Sequence, residues 1–212
     1  MQMLKVENLM VFFENALALN DFSMSVDEGQ LVGVIGSNSA GKTTLMNTLS
    51  GLILDMQLKE RRRGGERITI YGKIIYRGEE ISNFHPSERV KKGIVLCRER
   101  HPVFAESKAG FLSGGEQQML AIGMALVAEP TLLLLDEPLL GLSPMMQNML
   151  VDAIKRLRSD SGITVVMSEQ FARPVLPIID HGYIIENGML TLSGTGQELM
   201  DNPEVRAAYF GV

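Results

Sequence analysis

The stretch that most constrains how this chain can fold reads Gly36, Ser37, Asn38, Ser39, Ala40, Gly41, Lys42, Thr43 and Thr44. It matches the pattern G-x-x-x-x-G-K-[ST]. An apolar run at 31–35 precedes it and predicts a buried strand, and a helix-like run follows it and stops at Gly51. A strand, a glycine loop and a helix in this order form a phosphate-binding loop, because inward-facing N–H groups and the helix N-terminus attract anions. The alternative, a chance glycine-rich turn, requires neither flank.

The loop predicts that all nine of these residues bind a nucleotide. Lys42 would reach the β- and γ-phosphates, and the hydroxyl of Thr43 would ligate Mg²⁺. The loop alone does not distinguish a kinase, a GTPase and a transporter motor, so the rest of the chain must decide.

The composition is that of one ordinary globular domain. With 212 residues, 45% hydrophobic and 21% charged, the chain can bury one core. No apolar run approaches 18 residues and the first six lack a signal-peptide core, so we expect a cytoplasmic protein without direct membrane insertion. The single cysteine, Cys97, excludes an internal disulfide framework. The net charge of −5 argues against nucleic acid as a partner, and the basic run 59–63 is interpreted as a solvated loop.

Two adjacent carboxylates follow a second apolar run. Four leucines at 132–135 predict a fully buried parallel strand, and Asp136 and Glu137 follow at its carboxyl end, where α/β sheets place their ligands. We predict that Asp136 holds Mg²⁺ and that Glu137 orients and polarises an attacking water. The alternative is an exposed pair of charges at the end of a strand.

A glycine pair lies at the predicted start of a helix. Ser113 and Glu116 have the spacing of a capping box, and the helix should run to Pro130. Apolar residues cover much of its circumference, so we expect it to be buried. Gly114 and Gly115 weaken its first turn, and we infer that they give an anion access to the backbone. An ordinary capped helix does not explain both glycines.

The remaining segments complete an α/β pattern. Strands are predicted within 3–35 and at 68–71, 73–76, 94–97, 163–167 and in a hairpin at 183–192, and helices at 86–92, 143–162 and around Glu198 and Glu204. Residues 52–67 are charged and contain glycines, so we interpret them as a surface excursion. The segment after 170 contains Pro174 and Pro177 and should form a short or kinked helix.

Three motifs together, at 36–44, 112–118 and 132–138, resemble an ATP-binding-cassette (ABC) ATPase. The resemblance implies an α/β fold, in which a P-loop core with a mainly parallel sheet carries an N-terminal antiparallel β subdomain. It also implies ATP and Mg²⁺ as ligands and ATP hydrolysis as the activity. Further segments are similar to the ATPase subunits of branched-chain amino-acid importers, namely 116–123, 141–144, 168–170 and 183–211.

The resemblance implies roles for three more residues. Phe13 lies where the family stacks an aromatic ring on adenine, although a core phenylalanine would look the same in the sequence. Glu99 lies in the loop that touches Mg²⁺ and communicates with the membrane subunit, and a glutamate there can still coordinate magnesium. Gln170 replaces the switch histidine that contacts the γ-phosphate. Because glutamine cannot carry a proton near neutral pH, this favours Glu137 as the principal catalytic group.

The resemblance also implies partners. At the positions of Ser113 and Gly115 the family binds the γ-phosphate of the ATP held by the other subunit. The working unit would therefore be a head-to-tail dimer of this chain with itself or with a homologous ATPase. That dimer would bind transmembrane permease subunits at the cytoplasmic face of the membrane, as a peripheral subunit that is soluble when isolated.

One departure from the family falls between Glu99 and Leu112. The family has a helical subdomain of a few dozen residues here, and this chain has only the dozen residues 100–111, with the join near Ser107 and Lys108. Either the gene lacks the subdomain or the printed chain omits it, and we favour the second because nothing else in the chain is degraded. The single ABC domain, 1–212, is therefore divided into a β and nucleotide-binding part, a truncated helical subdomain, a signature and switch part, and a C-terminal hairpin with helices, at 1–99, 100–111, 112–182 and 183–212.

Our functional expectation is an ATP-hydrolysing subunit that energises a membrane importer for branched-chain amino acids. The same ATPase on another permease, such as a urea or lipid system, is an alternative. A soluble cassette ATPase that acts on nucleic acid or the ribosome is disfavoured by the acidic charge and the single cassette. A regulatory module that binds ATP without turnover is supported by Gln170 and by the missing subdomain, and it is opposed by Lys42, Asp136 and Glu137.

Overall fold

The computed structural model describes residues 1–98 and 112–211. Its strands, numbered in chain order, are β1 (Gln2–Phe13), β2 (Ala16–Asp27), β3 (Leu31–Ile35), β4 (Ile68–Tyr76), β5 (Glu79–Glu80), β6 (Ile94–Cys97), β7 (Leu132–Asp136), β8 (Thr164–Glu169), β9 (His181–Glu186) and β10 (Met189–Gly194). One sheet has the order β2-β1-β4-β5 and is antiparallel. The other has the order β10-β9-β3-β8-β7-β6 and is parallel except for the β9–β10 hairpin. The predicted fold class is therefore confirmed.

The helices connect the strands and flank the sheets. They are α1 (Lys42–Leu49), α2 (Leu52–Arg61), α3 (Pro86–Lys91), α4 (Gly114–Leu126), α5 (Pro144–Ser161), α6 (Gly196–Asp201) and α7 (Pro203–Val205), followed by a π-helical turn, Arg206–Phe210. The predicted starts of α4 and α5 are confirmed, because Ser113 and Ser143 are the N-caps. In the residues described, no helix is both long enough and apolar enough to span a bilayer.

The parallel sheet separates two hydrophobic clusters. Alternate residues of a strand point to opposite faces, so Leu132 and Leu134 pack toward the antiparallel sheet and α1, whereas Leu133 and Leu135 pack toward α4 and α5. Every residue of β3 and β7 is buried. The apolar runs in the sequence therefore predicted these strands correctly, because a strand covered on both faces needs no polar alternation.

A buried arginine fixes the C-terminal end of α1, the helix that follows the glycine loop. Arg89 is 1% exposed, and burial lowers the pKa of its guanidinium to about 10. It donates hydrogen bonds to five main-chain carbonyls, those of Thr48, Leu49, Ile81, Ser82 and Phe84. Two of these carbonyls end α1, where the helix dipole favours a cation.

Two segments differ from the prediction. The surface excursion predicted at 52–67 is wrong for its first part, because α2 forms there with Ile53, Leu54 and Gln57 buried. The charged residues of α2 made its short buried face difficult to recognise in the sequence. The helix predicted after 170 is also wrong: residues 173–178 form successive turns, because the two prolines in this segment cannot donate helical hydrogen bonds.

The expectation that α4 is buried is correct for only one side of the helix. Ala121 and Ile122 are buried, but Leu120 is 37% exposed and Met124 is 56% exposed. An apolar circumference predicts that every side of a helix can be buried, but it does not predict whether another part of the chain packs against each side. The predicted truncation at 100–111 lies outside the described residues, so it stays a prediction, as does the division of the chain at its boundaries.

Candidate functional site

The glycine loop connects β3 to α1 through backbone that only glycine can provide at two points. A Cβ on Gly36 would lie 2.3 Å from the carbonyl oxygen of Ile185 in β9. Gly41 has a φ of 104°, and a Cβ there would lie 2.6 Å from the carbonyl oxygen of Ala18 in β2. The loop is therefore held between the two sheets, and its shape depends on neighbours that are far away in the sequence.

The N-terminus of α1 fits an anion. It has no side-chain cap and no acidic residue in its first turn. The first N–H groups of a helix have no intrahelical acceptor and carry the positive end of the helix dipole. The arrangement thus fits the phosphates that the sequence motif predicts.

Lys42 is the buried cation of the site. Its side chain is 3% exposed, and Nζ donates to the carbonyl oxygens of Gly36 (2.8 Å) and Ser37 (2.9 Å). Nζ also lies 3.0 Å from Oε1 of Glu137, whose side chain is 8% exposed. The two residues predicted to act on the phosphates and on the water are therefore paired with each other.

Asp136 and Thr43 lie together, as expected of two Mg²⁺ ligands. The Thr43 hydroxyl donates to Oδ1 of Asp136 at 3.3 Å, and the Ser168 hydroxyl donates to the same oxygen at 2.7 Å. Burial raises the pKa of the Asp136 carboxyl, and the hydrogen bonds from Ser168 and Thr43 oppose that rise. Hydroxyl and carboxylate oxygens are the donors that Mg²⁺ prefers, so the pair fits the metal.

Glu137 has an unusual backbone conformation. Its φ is 46°, in the left-handed region that residues with a side chain rarely adopt. Its N–H donates to the carbonyl oxygen and to the hydroxyl of Ser168, both at 3.1 Å. Strained backbone of this kind is common in active sites, where surrounding contacts hold it.

A cavity of about 320 Å³ opens beside these residues, and its walls come from distant parts of the chain. It is lined by Leu17, Ala18, Ser39, Gly41, Lys42, Thr43, Thr44, Glu137, Asn187 and Gly188. The sequence interpretation missed Leu17 and Ala18, and it recognised Asn187 and Gly188 only as a hairpin turn. Phe13 is not among the lining residues; it is partly buried and packs against the core, so its contact with adenine stays a prediction.

The switch residue Gln170 lies on a second cavity, which has a volume of about 390 Å³. It shares that lining with Ser37 of the glycine loop, so the structure brings the switch close to the phosphate loop. The third predicted metal ligand, Glu99, lies outside the described residues.

The signature residues lie apart from the cavity of their own chain. Ser113 is exposed and forms a capping box with Glu116, in which each side chain bonds the other residue's N–H. Gly115 packs against α5, where a Cβ would lie 2.5 Å from Cε of Met146. Neither Ser113 nor Gly115 lines the 320 Å³ cavity. This placement fits residues that serve a nucleotide held by another subunit.

Fold and site together define a P-loop ATPase with a separate antiparallel β-sheet and a signature helix. The sequence pattern of the ABC transporter family matches residues 19–140, more than half of the chain. The chain belongs to this family, and it is the ATP-hydrolysing subunit of a transporter.

Individual comparisons agree with this assignment. The chain is 34% identical to the high-affinity branched-chain amino acid transport ATP-binding protein BraG of Pseudomonas aeruginosa, in an alignment that covers 99% of this chain and 100% of the relative. It is 28% identical to the lipopolysaccharide export system ATP-binding protein LptB of Haemophilus influenzae, covering 100% and 98%. The crystal structure of the ADP conformation of MJ1267, an ATP-binding cassette of an ABC transporter, superposes with a TM-score of 0.84 at 24% identity and full coverage of both chains.

Proposed function

We propose that this protein is the ATPase subunit of an importer for branched-chain amino acids. The observation that supports branched-chain amino acids as the substrate is the 34% identity with BraG over nearly the whole of both chains. The site supports ATP hydrolysis, because Lys42, Asp136 and Glu137 are buried together beside a cavity at the end of the parallel sheet.

The residues would divide the reaction between binding and hydrolysis. The loop amides of 36–44 and Lys42 would bind the phosphates, and Thr43 and Asp136 would hold Mg²⁺, which neutralises phosphate charge when it is bound. Glu137 would orient the attacking water and accept its proton. Gln170 would donate a hydrogen bond to the γ-phosphate without carrying a proton itself.

The Lys42–Glu137 ion pair suggests how binding could precede chemistry. In this structure Glu137 is the anion that partners Lys42. When the phosphates bind Lys42, Glu137 would lose that ion-pair partner and could then orient the attacking water. Nucleotide binding would thereby release the catalytic carboxylate.

ABC ATPases act as dimers with transmembrane permeases. For this chain we propose a head-to-tail dimer, with itself or with a homologous ATPase. The exposed Ser113 and the backbone at Gly115 would then reach the γ-phosphate on the partner. The dimer would lie at the cytoplasmic face of the membrane as a peripheral assembly bound to permease subunits.

A second candidate substrate is a lipid. The 28% identity with LptB, at full coverage of this chain, is the observation that favours it. The candidate site described above binds nucleotide and not the transported molecule, so substrate identity must be measured with the permease present.

The proposal is tested in two steps. First, purified protein should hydrolyse ATP, Lys42→Ala should abolish turnover, and Lys59→Ala, an exposed lysine on α2 paired with Asp55, should not. Second, right-side-out membrane vesicles that contain the permeases encoded beside its gene and enclose ATP should accumulate labelled leucine, and they should do so only with ATP and intact Lys42. ATP-dependent export of lipopolysaccharide without leucine transport would replace this substrate with the lipid.

A further inference from the structure

The last residue of β8, Glu169, contacts both halves of the candidate site. Its side chain is 1% exposed, and Oε1 accepts a hydrogen bond of 2.7 Å from the N–H of Leu139. Its own carbonyl oxygen accepts from the N–H of Gly36 at 3.2 Å. Glu169 therefore joins the first glycine of the phosphate loop to the turn that follows Asp136 and Glu137.

That turn needs support because Glu137 is in the left-handed region, with a φ of 46°. On one side of the turn, Ser168 accepts from the N–H of Glu137 through both its carbonyl and its hydroxyl oxygen. On the other side, two residues further on, Glu169 accepts from the N–H of Leu139. The two contacts lie on either side of the strained residue. Without the side chain of Glu169, the N–H of Leu139 would lose this acceptor.

Burying a carboxyl group at this position is unfavourable if the group has only a structural role. Among the described residues, no cation lies within ion-pair distance of Glu169, and the buried Lys42 is already paired with Glu137. Burial raises the pKa of the Glu169 carboxyl to about 8, and the negative charge of Glu137 adds to the rise, while the hydrogen bond from Leu139 opposes it. The group is thus mainly protonated at neutral pH, and it supports Glu137 without placing a second negative charge beside it.

We propose that Glu169 is a positioning residue for ATP hydrolysis, which holds the turn 137–139 so that the Glu137 carboxylate reaches the attacking water. Gln170 is the next residue along the chain, so the same side chain fixes the position of the switch relative to Glu137. The inference rests on the proposed role of Glu137. It implies that Glu169 contributes to the hydrolysis step and not to the affinity for ATP.

The test compares Glu169→Gln with Glu169→Met in steady-state ATPase assays and in equilibrium titrations with ATP. The two replacements have similar volume, and only glutamine keeps an oxygen that can accept from Leu139. We expect Glu169→Gln to stay within about 3-fold of the wild-type kcat. Glu169→Met should lose about 10²-fold in kcat with Kd for ATP changed less than about 3-fold, as is typical when a reacting group is misplaced by about 1 Å. Glu186→Met, which replaces an exposed carboxylate at the end of strand β9, is the matched control and should behave as wild type.

Three results would overturn the inference. The first is a wild-type kcat for Glu169→Met, and the second is an equal loss in both replacements, which would make the charge and not the acceptor important. The third is a parallel loss of kcat and ATP affinity in Glu169→Met, which would indicate general disruption of the site. Thermal unfolding with and without ATP accompanies each variant, and a misfolded Glu169→Met is replaced by Glu169→Leu. If the wild-type protein itself hydrolyses no ATP, the proposed function fails first, so the two failures are distinguishable.

Discussion

Replacing Glu137 with glutamine should separate ATP binding from hydrolysis, and the structure adds that binding should become tighter. Oε1 of Glu137 lies 3.0 Å from Nζ of Lys42, and both side chains are buried. Glutamine has nearly the same size and can still accept a hydrogen bond, but it has no charge to offer Lys42 and accepts a proton poorly.

The size of both effects can be worked out. Removing one partner of a buried ion pair costs about 3–5 kcal/mol, because the other charge is left uncompensated. Lys42 keeps its hydrogen bonds to the carbonyls of Gly36 and Ser37, so we take the smaller cost of one lost buried hydrogen-bond partner, about 1–3 kcal/mol. Phosphates remove that cost on binding, so Kd for ATP should fall by about 5- to 140-fold, at a factor of ten per 1.4 kcal/mol. Loss of the base should lower kcat by about 10²–10⁴-fold.

The assays are isothermal titration with ATP, steady-state hydrolysis and size-exclusion chromatography with Mg²⁺ and ATP. Glu137→Gln should be monomeric without ATP, dimeric with it and nearly inactive. Asp136→Asn is the control, which should instead weaken the Mg²⁺ dependence of binding. A wild-type rate in Glu137→Gln would refute its catalytic role and direct attention to Glu99. An unchanged or weaker affinity would refute the argument that the ion pair opposes binding.

Three further predictions concern other residues. Lys42→Ala should abolish ATP binding in equilibrium titration, because the site loses its buried cation, and an unchanged Kd would remove Lys42 from the site. Arg89→Met should lower the free energy of unfolding by at least about 3 kcal/mol in urea denaturation, since it leaves several buried carbonyls without donors. Folding raises the pKa of Glu169 from 4.5 to about 8, so the folded state holds a proton that the unfolded state releases in this range. Stability should therefore fall as pH rises from about 5 to 8, and Glu169→Gln should remove that part of the slope.

Much of the fold and of the site could be predicted from the sequence because the requirements are local. The loop at 36–44 needs glycines for its own backbone, and the runs at 31–35 and 132–135 are apolar because each strand is covered on both faces. The turn at Asn187 and Gly188 has positive φ at both residues, which is what these two residue types favour. Local signals also located the N-caps of α4 and α5.

Tertiary structure alone decided which of these pieces meet. The sequence could not place Leu17 and Asn187 on the walls of one cavity, because each lies there only through the packing of strands that are distant along the chain. The pairing of Lys42 with Glu137 and the hydrogen bond from Leu139 to Glu169 arise because the parallel sheet places β3, β7 and β8 side by side. The sequence by itself determined the chemical groups of this ATPase, and the order of strands in the sheet determined which of those groups restrain one another.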